Sequence, residues 1–212
     1  GPITVVLEPR VIAKIMAAAI PAFDQTRINA GNSFLDGEGG QRIGAPLLHM
    51  IDDAARPGGL ETRAFDDRGA PPLDLPIIRE GLAGAFYTPV DVAQGRGERS
   101  SGHEGTSGLW SGNLLLRSGN RSRNMIFPDL GTFVILHELV DADILNLKTG
   151  KLVLRGHMYK GDGGAPQVYA GVHTIETTVI DLWTGVTEVA NDQRRFGFVD
   201  CSTWVVKGLS VS

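Results

Sequence analysis

The sequence predicts an α+β fold: a large, mostly antiparallel, curved sheet or barrel-like β domain with one N-terminal helix packed on it. Three observations carry this expectation. The clearest helical periodicity lies near the start, at Val11, Ile12, Ile15, Met16, Ala19 and Ile20. The second half is a series of β-branched and aromatic runs split by glycine turns. Glycine is abundant, 28 of 212 residues, as a fold rich in tight turns requires.

Taken in order, residues 4–7 read as a short strand. Pro9 suits a first helical turn, and Pro21 ends the helix predicted over 10–20. Its alanine-rich apolar face suits packing on a sheet. Residues 29–42 are polar and glycine-rich, hence a loop. Strands are expected at 47–51 and 73–78, with 82–87 as a hairpin partner after Arg79-Glu80-Gly81. The stretch 94–111, with five glycines and little apolar content, reads as a long exposed or partner-covered loop. Further strands are expected at 132–136, 152–158, 168–172, 174–182, 195–199 and 203–206. Turns fall at Lys148-Thr149-Gly150, Asp162-Gly163-Gly164 and Trp183-Thr184-Gly185.

Composition bounds the function. The net charge of -4 offers no basic field, which argues against nucleic acid. No apolar run approaches the roughly 20 residues that cross a bilayer, so no membrane partner is expected. The single cysteine, Cys201, fits a reducing, cytoplasmic setting. Residues 1–212 read as one domain.

The chemistry-bearing residues do not assemble into a self-sufficient site. Asp52, Asp53, Asp66 and Asp67 resemble a cation site, since hard cations take oxygen ligands. No calcium-loop spacing accompanies them, and Asp with Gly is what turns prefer, so a turn role is favoured, with Arg56, Arg63 and Arg68 near in sequence to balance the charge. His137-Glu138 mimics a zinc-protease helix, but the second histidine's place is taken by Asp141. A scattered His103, His157, Asp141 ligand set is the remaining metal alternative. Cys201 reads as a packed thiol, and Ser100-Ser101-Gly102 lacks a nucleophile elbow. Arg117, Arg121 and Arg123 form a small basic patch, read as solvated loop.

The order of motifs resembles the C-terminal half of the TldD/PmbA family, the modulators of DNA gyrase. The family's Asp-Asp, Pro-Gly-Gly-Leu and Phe-Asp-Asp-Glu-Gly-Val-Pro run is similar to Ile51-Asp52-Asp53, Pro57-Gly58-Gly59-Leu60 and Phe65-Asp66-Asp67-Arg68-Gly69-Ala70-Pro71. Its glycine hairpin resembles Arg79-Glu80-Gly81-Leu82-Ala83-Gly84, and its Ser-Thr-Gly-Asn loop Ser100-Ser101-Gly102-His103. Asn113-Leu114, Lys148-Thr149-Gly150-Lys151 and the closing segment 202–211 continue the match.

The resemblance implies two kinds of subunit, one with a zinc-binding His-Glu-x-x-x-His helix that cleaves peptides and one without those ligands. The corresponding helix here reads Ile15-Met16-Ala17-Ala18-Ala19-Ile20, with no zinc donor in it. The expectation is therefore a non-catalytic, metal-free subunit of a heteromeric zinc peptidase. It has no catalytic residue or metal ligand of its own, and zinc is expected in a TldD-like partner. Ser101, Gly102 and His103 are the expected peptide or partner contacts. The family's N-terminal half is absent from this sequence, which suggests a shortened or stand-alone relative. Two alternatives accompany this reading. One is a stand-alone enzyme of peptide-derived metabolite maturation using His103, Glu104 or His137 as acid–base groups. The other is a pure assembly domain.

Overall fold

A computed structural model of the chain describes residues 1–163, 165 and 167–212. Strand β1 (Ile3–Leu7) leads into α1 (Pro9–Ala19), a 3-10 turn (Ile20–Phe23) and the short α2 (Gln25–Asn29). Then come β2 (Met50–Asp53), β3 (Leu75–Arg79), β4 (Leu82–Ala83) and α3 (Val90–Arg96). A small hairpin, β5 (Glu104–Gly105) with β6 (Gly108–Leu109), precedes β7 (Asn113–Leu116) and α4 (Arg123–Ile126). The long strands β8 (Thr132–Leu139), β9 (Lys151–Asp162) and β10 (Val168–Thr178) form an antiparallel meander. The chain closes through α5 (Val179–Thr184), β11 (Val186–Val189), β12 (Arg194–Phe196), β13 (Val199–Cys201) and β14 (Trp204–Leu209).

The α+β expectation holds, but the one large sheet or barrel is replaced by two six-stranded sheets. The first has the order β10-β9-β8-β1-β14-β11 and the second β12-β13-β7-β2-β3-β4. Pairing is mostly antiparallel, with β1 parallel to β8 and β13 parallel to β7. One core joins the two sheets. It takes Val5, Leu7, Leu136, Leu154 and Val206 from the first and Met50, Ile77, Leu114, Leu116 and Val199 from the second. Alternation along a strand explains why Val6 leaves this core. With Phe133, Ile135 and Val205 it packs on the opposite face, beneath Ile126 and Phe127.

Helix α1 begins where Pro9 needs no amide hydrogen bond, and Pro21 falls in the 3-10 turn that ends it. Its buried stripe of Val11, Ile12, Ile15, Met16 and Ala19 belongs to the shared core, and it touches β8 of one sheet and β12 and β13 of the other. Trp183, with 0% exposure, packs into the same core against Phe23 and Phe34.

Several expected elements shift. The strand expected at 47–51 starts instead at Met50, and β4 is only two residues. The stretch 174–182 is not one strand. β10 ends at Thr178, whose side chain accepts from the Asp181 amide at 3.0 Å and caps α5. Trp183-Thr184-Gly185 is consequently the end of a helix. Lys148-Thr149-Gly150 is a turn, with the Asn146 side chain accepting from two of its amides. Gly164 of the expected Asp162-Gly163-Gly164 turn lies outside the described residues. No helix among the described residues is long and apolar enough to cross a membrane.

Candidate functional site

The site lies where β2, the segment after β4 and the loop before β5 meet. On β2, Met50 and Asp52 face inward while Ile51 faces out. Asp52 is therefore carried into the interior, at 0% exposure. A buried carboxylate needs donors. Its Oδ2 accepts from the Tyr87 hydroxyl at 2.5 Å and from the Gly112 amide at 2.7 Å. Tyr87 is held by its backbone, which bonds Phe23 and Gln25. Burial, followed by the charge of Asp52, pushes the Tyr87 phenol well above its ordinary range, so it stays a donor.

His103 completes the cluster. Its ring meets Tyr87 edge-on with centroids 5.0 Å apart, and its side chain is fully enclosed. Nδ1 lies 2.8 Å from the Ser101 carbonyl oxygen. A carbonyl only accepts, so Nδ1 carries a proton. Nε2 faces Asp52 Oδ2 at 3.7 Å. Neither Nε2 nor Asp52 Oδ1 has a hydrogen-bond partner among the described residues.

The loop folds inward because its backbone is paired. Ser101 N donates to Thr88 O at 2.9 Å, Leu73 N to Ser101 O at 3.0 Å, and Trp110 N to His103 O at 2.8 Å. Gly102 has φ +71°, and a Cβ there would come within 2.4 Å of the Pro71 carbonyl oxygen. Only glycine suits both the torsion and the close approach. The expected exposed loop at 94–111 is thus corrected: Ser100, Ser101 and His103 are buried. Their backbone partners come from residues 71–110, which polar composition alone does not reveal.

Above the cluster lies a cleft of about 380 Å³, walled by Tyr87, Ser101, His103 and Glu104 and by the hairpin β5–β6. Glu104 accepts from the Val90 amide at the start of α3, at 3.1 Å, and sits 3.5 Å from Arg68. The second Asp-Asp pair supports these walls. Asp66 accepts from the amides of Arg68, Ala70 and Glu104 at 2.8–3.1 Å. Asp67 accepts from the hydroxyl and amide of Thr106, and these bonds hold its carboxyl below the usual carboxylate range. Asp53 accepts from the Ala55 amide. These are turn and clasp roles. Arg56 and Arg63 do not pair with these carboxylates. Arg56 binds Asp200, and Arg63 bonds backbone carbonyls and lies 4.2 Å over the Trp110 ring.

The other sequence candidates stand elsewhere. His137 lies on β8 with its ring against Tyr159 and does not line the cleft. His157 contacts the Tyr169 hydroxyl and Asp141 pairs with Arg155, so neither joins His103. Cys201 is buried and its thiol pushed up to about 12, first by desolvation, then by Asp200. Sequence reasoning missed Asp52 as a buried partner of His103 and Tyr87. The signal available was the alternation through Met50, Ile51 and Asp52, which places Asp52 on the core face.

Zinc does not fit helix α1. Helix α1 turns Ile12, Ile15, Met16 and Ala19 into the core, and hydrocarbon and thioether side chains there supply no imidazole, thiolate or carboxylate. Among the described residues no three His, Cys, Asp or Glu side chains are grouped to hold an ion.

Two six-stranded sheets joined by one core, with α1 packed in it and a buried Asp–Tyr–His cluster, define an α+β domain. Residues 1–212 match the family described as PmbA/TldA metallopeptidase C-terminal domain, and the chain belongs to that family. No curated protein matches. The fold is similar to a putative modulator of DNA gyrase from Thermotoga maritima, 23% identical, with a TM-score of 0.91 over 100% of this chain and 50% of that one. It is also similar to TldE from Thermococcus kodakarensis, 21% identical, TM-score 0.89, over 100% of this chain and 50% of that one. A putative modulator of DNA gyrase from Bacteroides thetaiotaomicron, 17% identical, gives 0.87 over 100% and 47%. The chain spans about half the length of these solved relatives.

Proposed function

We propose that this chain is the non-catalytic, metal-free subunit of a heteromeric TldD/PmbA-type zinc peptidase that acts on peptides. The observation that carries this reading is α1. The helix that would bear the chelating side chains in a zinc subunit is apolar and turned into the shared core. Zinc belongs to a TldD-like partner, and this chain shapes the space around the substrate. Ser101, Gly102 and His103 act there as the inner wall of the cleft: Ser101 and His103 line it, the enclosed His103 ring and the glycine torsion at 102 fix its shape, and a peptide or the partner sits against it.

The single-chain enzyme alternative would use His103 as its acid–base group. Its Nδ1 is committed to the Ser101 carbonyl and its side chain is fully enclosed, which favours a structural role. The test is metal content and peptide cleavage for the chain alone and after mixing with a zinc-bearing relative. Cleavage is expected only in the mixture, with zinc in the relative. Stoichiometric zinc in this chain, or turnover by it alone that disappears in His103→Ala, would sink the reading.

A further inference from the structure

The outward face of the second sheet carries a feature the cleft does not explain. β2 pairs Ile51 with Leu115 of β7 and with Pro76 of β3, so these three side chains lie side by side opposite the core. Ile51 is 43% exposed. They floor a groove of about 570 Å³ rimmed by His49, Arg79, Glu80 and Arg117. A second hollow of about 380 Å³ adjoins it and shares His49, Arg117 and Ser118. Arg117 stands where the two meet.

The charges of this face are unbalanced. Of the basic patch seen in the sequence, Arg121 is bound to Asp129 and Glu188, and Arg123 to Glu8. Arg117 and Arg79 have no carboxylate within ion-pair distance among the described residues. The Arg117 guanidinium instead rests on His49, with Nη1 3.2 Å from Nε2. Burial, then the charge of Arg117, holds His49 below the usual imidazole range, against the opposing pull of Glu80, so His49 is a neutral acceptor. A neutral ring is a weak partner for a guanidinium, which prefers a planar carboxylate. Glu80 is the one groove carboxylate not already bound to an arginine, since Glu188 of the adjoining hollow holds Arg121. An apolar floor that runs up to two unpaired arginines flanking His49 is complementary to a chain that alternates apolar and acidic side chains.

We propose that this face binds an extended acidic peptide. Its apolar side chains cover Ile51, Pro76 and Leu115, and its carboxylates engage Arg117 and Arg79. The choice of a peptide rests on the peptide-handling function above, while the acidic preference rests on the groove alone. Arg117 is the residue that sets it, because it serves both hollows.

Fluorescence anisotropy on the full chain tests this with three labelled peptides of equal length, alternating Leu with Glu, Gln or Lys. The Glu peptide should bind, weakening as salt rises. The Gln peptide should bind about tenfold more weakly, as should the Glu peptide to Arg117→Gln, from loss of a charge-assisted contact. Arg117→Glu should reverse the preference toward the Lys peptide, and unchanged melting would show that the outward substitution leaves the fold intact. Equal binding of all three peptides, binding of none, or indifference to Arg117→Glu overturns the proposal. So does exclusion of the peptide by a stoichiometric zinc-bearing relative, which would assign the groove to that subunit. Zinc content and partner-dependent cleavage are read separately. Failure there with the peptide preference intact removes the subunit assignment, and the reverse removes only the groove.

Discussion

The Tyr87 hydroxyl donates to Asp52 Oδ2 at 2.5 Å, with Tyr87 1% and Asp52 0% exposed. Tyr87 sits at the Phe23–Gln25 corner and Asp52 on a central strand of the second sheet, so this contact ties the end of the helical segment to that sheet. Tyr87→Phe leaves the carboxylate with only the Gly112 amide. It should cost about 1–3 kcal/mol in urea unfolding, the usual cost of stranding a buried polar group.

The same pair has an alkaline signature. The folded-state phenol is raised, so the native state holds its proton after the unfolded chain has lost it. Its contribution is complete below the unfolded value of about 10 and falls as pH rises beyond it. Urea midpoints followed from neutral pH upward should fall for the wild type above about pH 10, and Tyr87→Phe should lack this component. Parallel curves for the two proteins would show that the phenol is not shielded.

Gly112 donates its amide to Asp52, and the approach leaves no room for a side chain. A Cβ would lie 2.2 Å from Asp52 Oδ1 and 2.6 Å from the Ala54 Cβ. Gly112→Ala should therefore cost about 1–3 kcal/mol through overpacking, with a matching fall in melting temperature. An unchanged melting temperature would mean that β2 and β7 can separate freely at this point.

Asp66 is the clasp of the cleft wall, because it joins its own turn to the Glu104 amide of β5. Asp66→Ala removes an acceptor from three amides. Hydrogen exchange should accelerate at Arg68, Ala70 and Glu104, with protection on β9 unchanged. Global loss of protection would show that the hairpin is part of the main folding unit.

The opening β–α unit was legible because its signals are local. Residues 4–7 form an apolar run, and Pro9 and Pro21 mark the limits of α1 and the turn after it. The meander of β8, β9 and β10 was legible in outline for the same reason. Strand β7 was not, since Asn-Leu-Leu-Leu is too short to show a period and is specified by its neighbours β2 and β13. Helix α5 resembles a strand in sequence, through the β-branched Val179 and Ile180, although Thr178 and Asp181 form its cap. The two-sheet division depends on β1 lying beside β8, a pairing across about 130 residues that no local pattern encodes. At the site, glycines and serines suggested an exposed loop. Their burial follows from Pro71 and Thr88, which approach Gly102 and Ser101 only once the chain has folded.

The end of the second sheet contains a group whose response to acid follows from opposing effects. Burial alone would push the Asp200 carboxyl up, but hydrogen bonds from Arg195 and Arg56 outweigh it and hold it below the usual range. Arg195 Nε donates to Oδ1 at 2.8 Å, while Arg56 binds Oδ2 from the loop after β2. A depressed carboxyl stabilises the fold above its unfolded value of about 3.9, and this contribution disappears as pH falls through the lower folded value. Arg56→Gln should cost about 2 kcal/mol at neutral pH, typical of a hydrogen bond between charged groups. The gap between wild type and variant should then close below about pH 4, where the unfolded chain takes up its proton and the folded carboxylate follows. Because Arg56 reaches β13 from the loop that also carries Pro57-Gly58-Gly59, the variant should increase exchange at the Gly59 amide, which bonds the Arg56 carbonyl. A stability gap that persists unchanged through acid would instead assign the Arg56 effect to side-chain packing rather than to its pairing with Asp200.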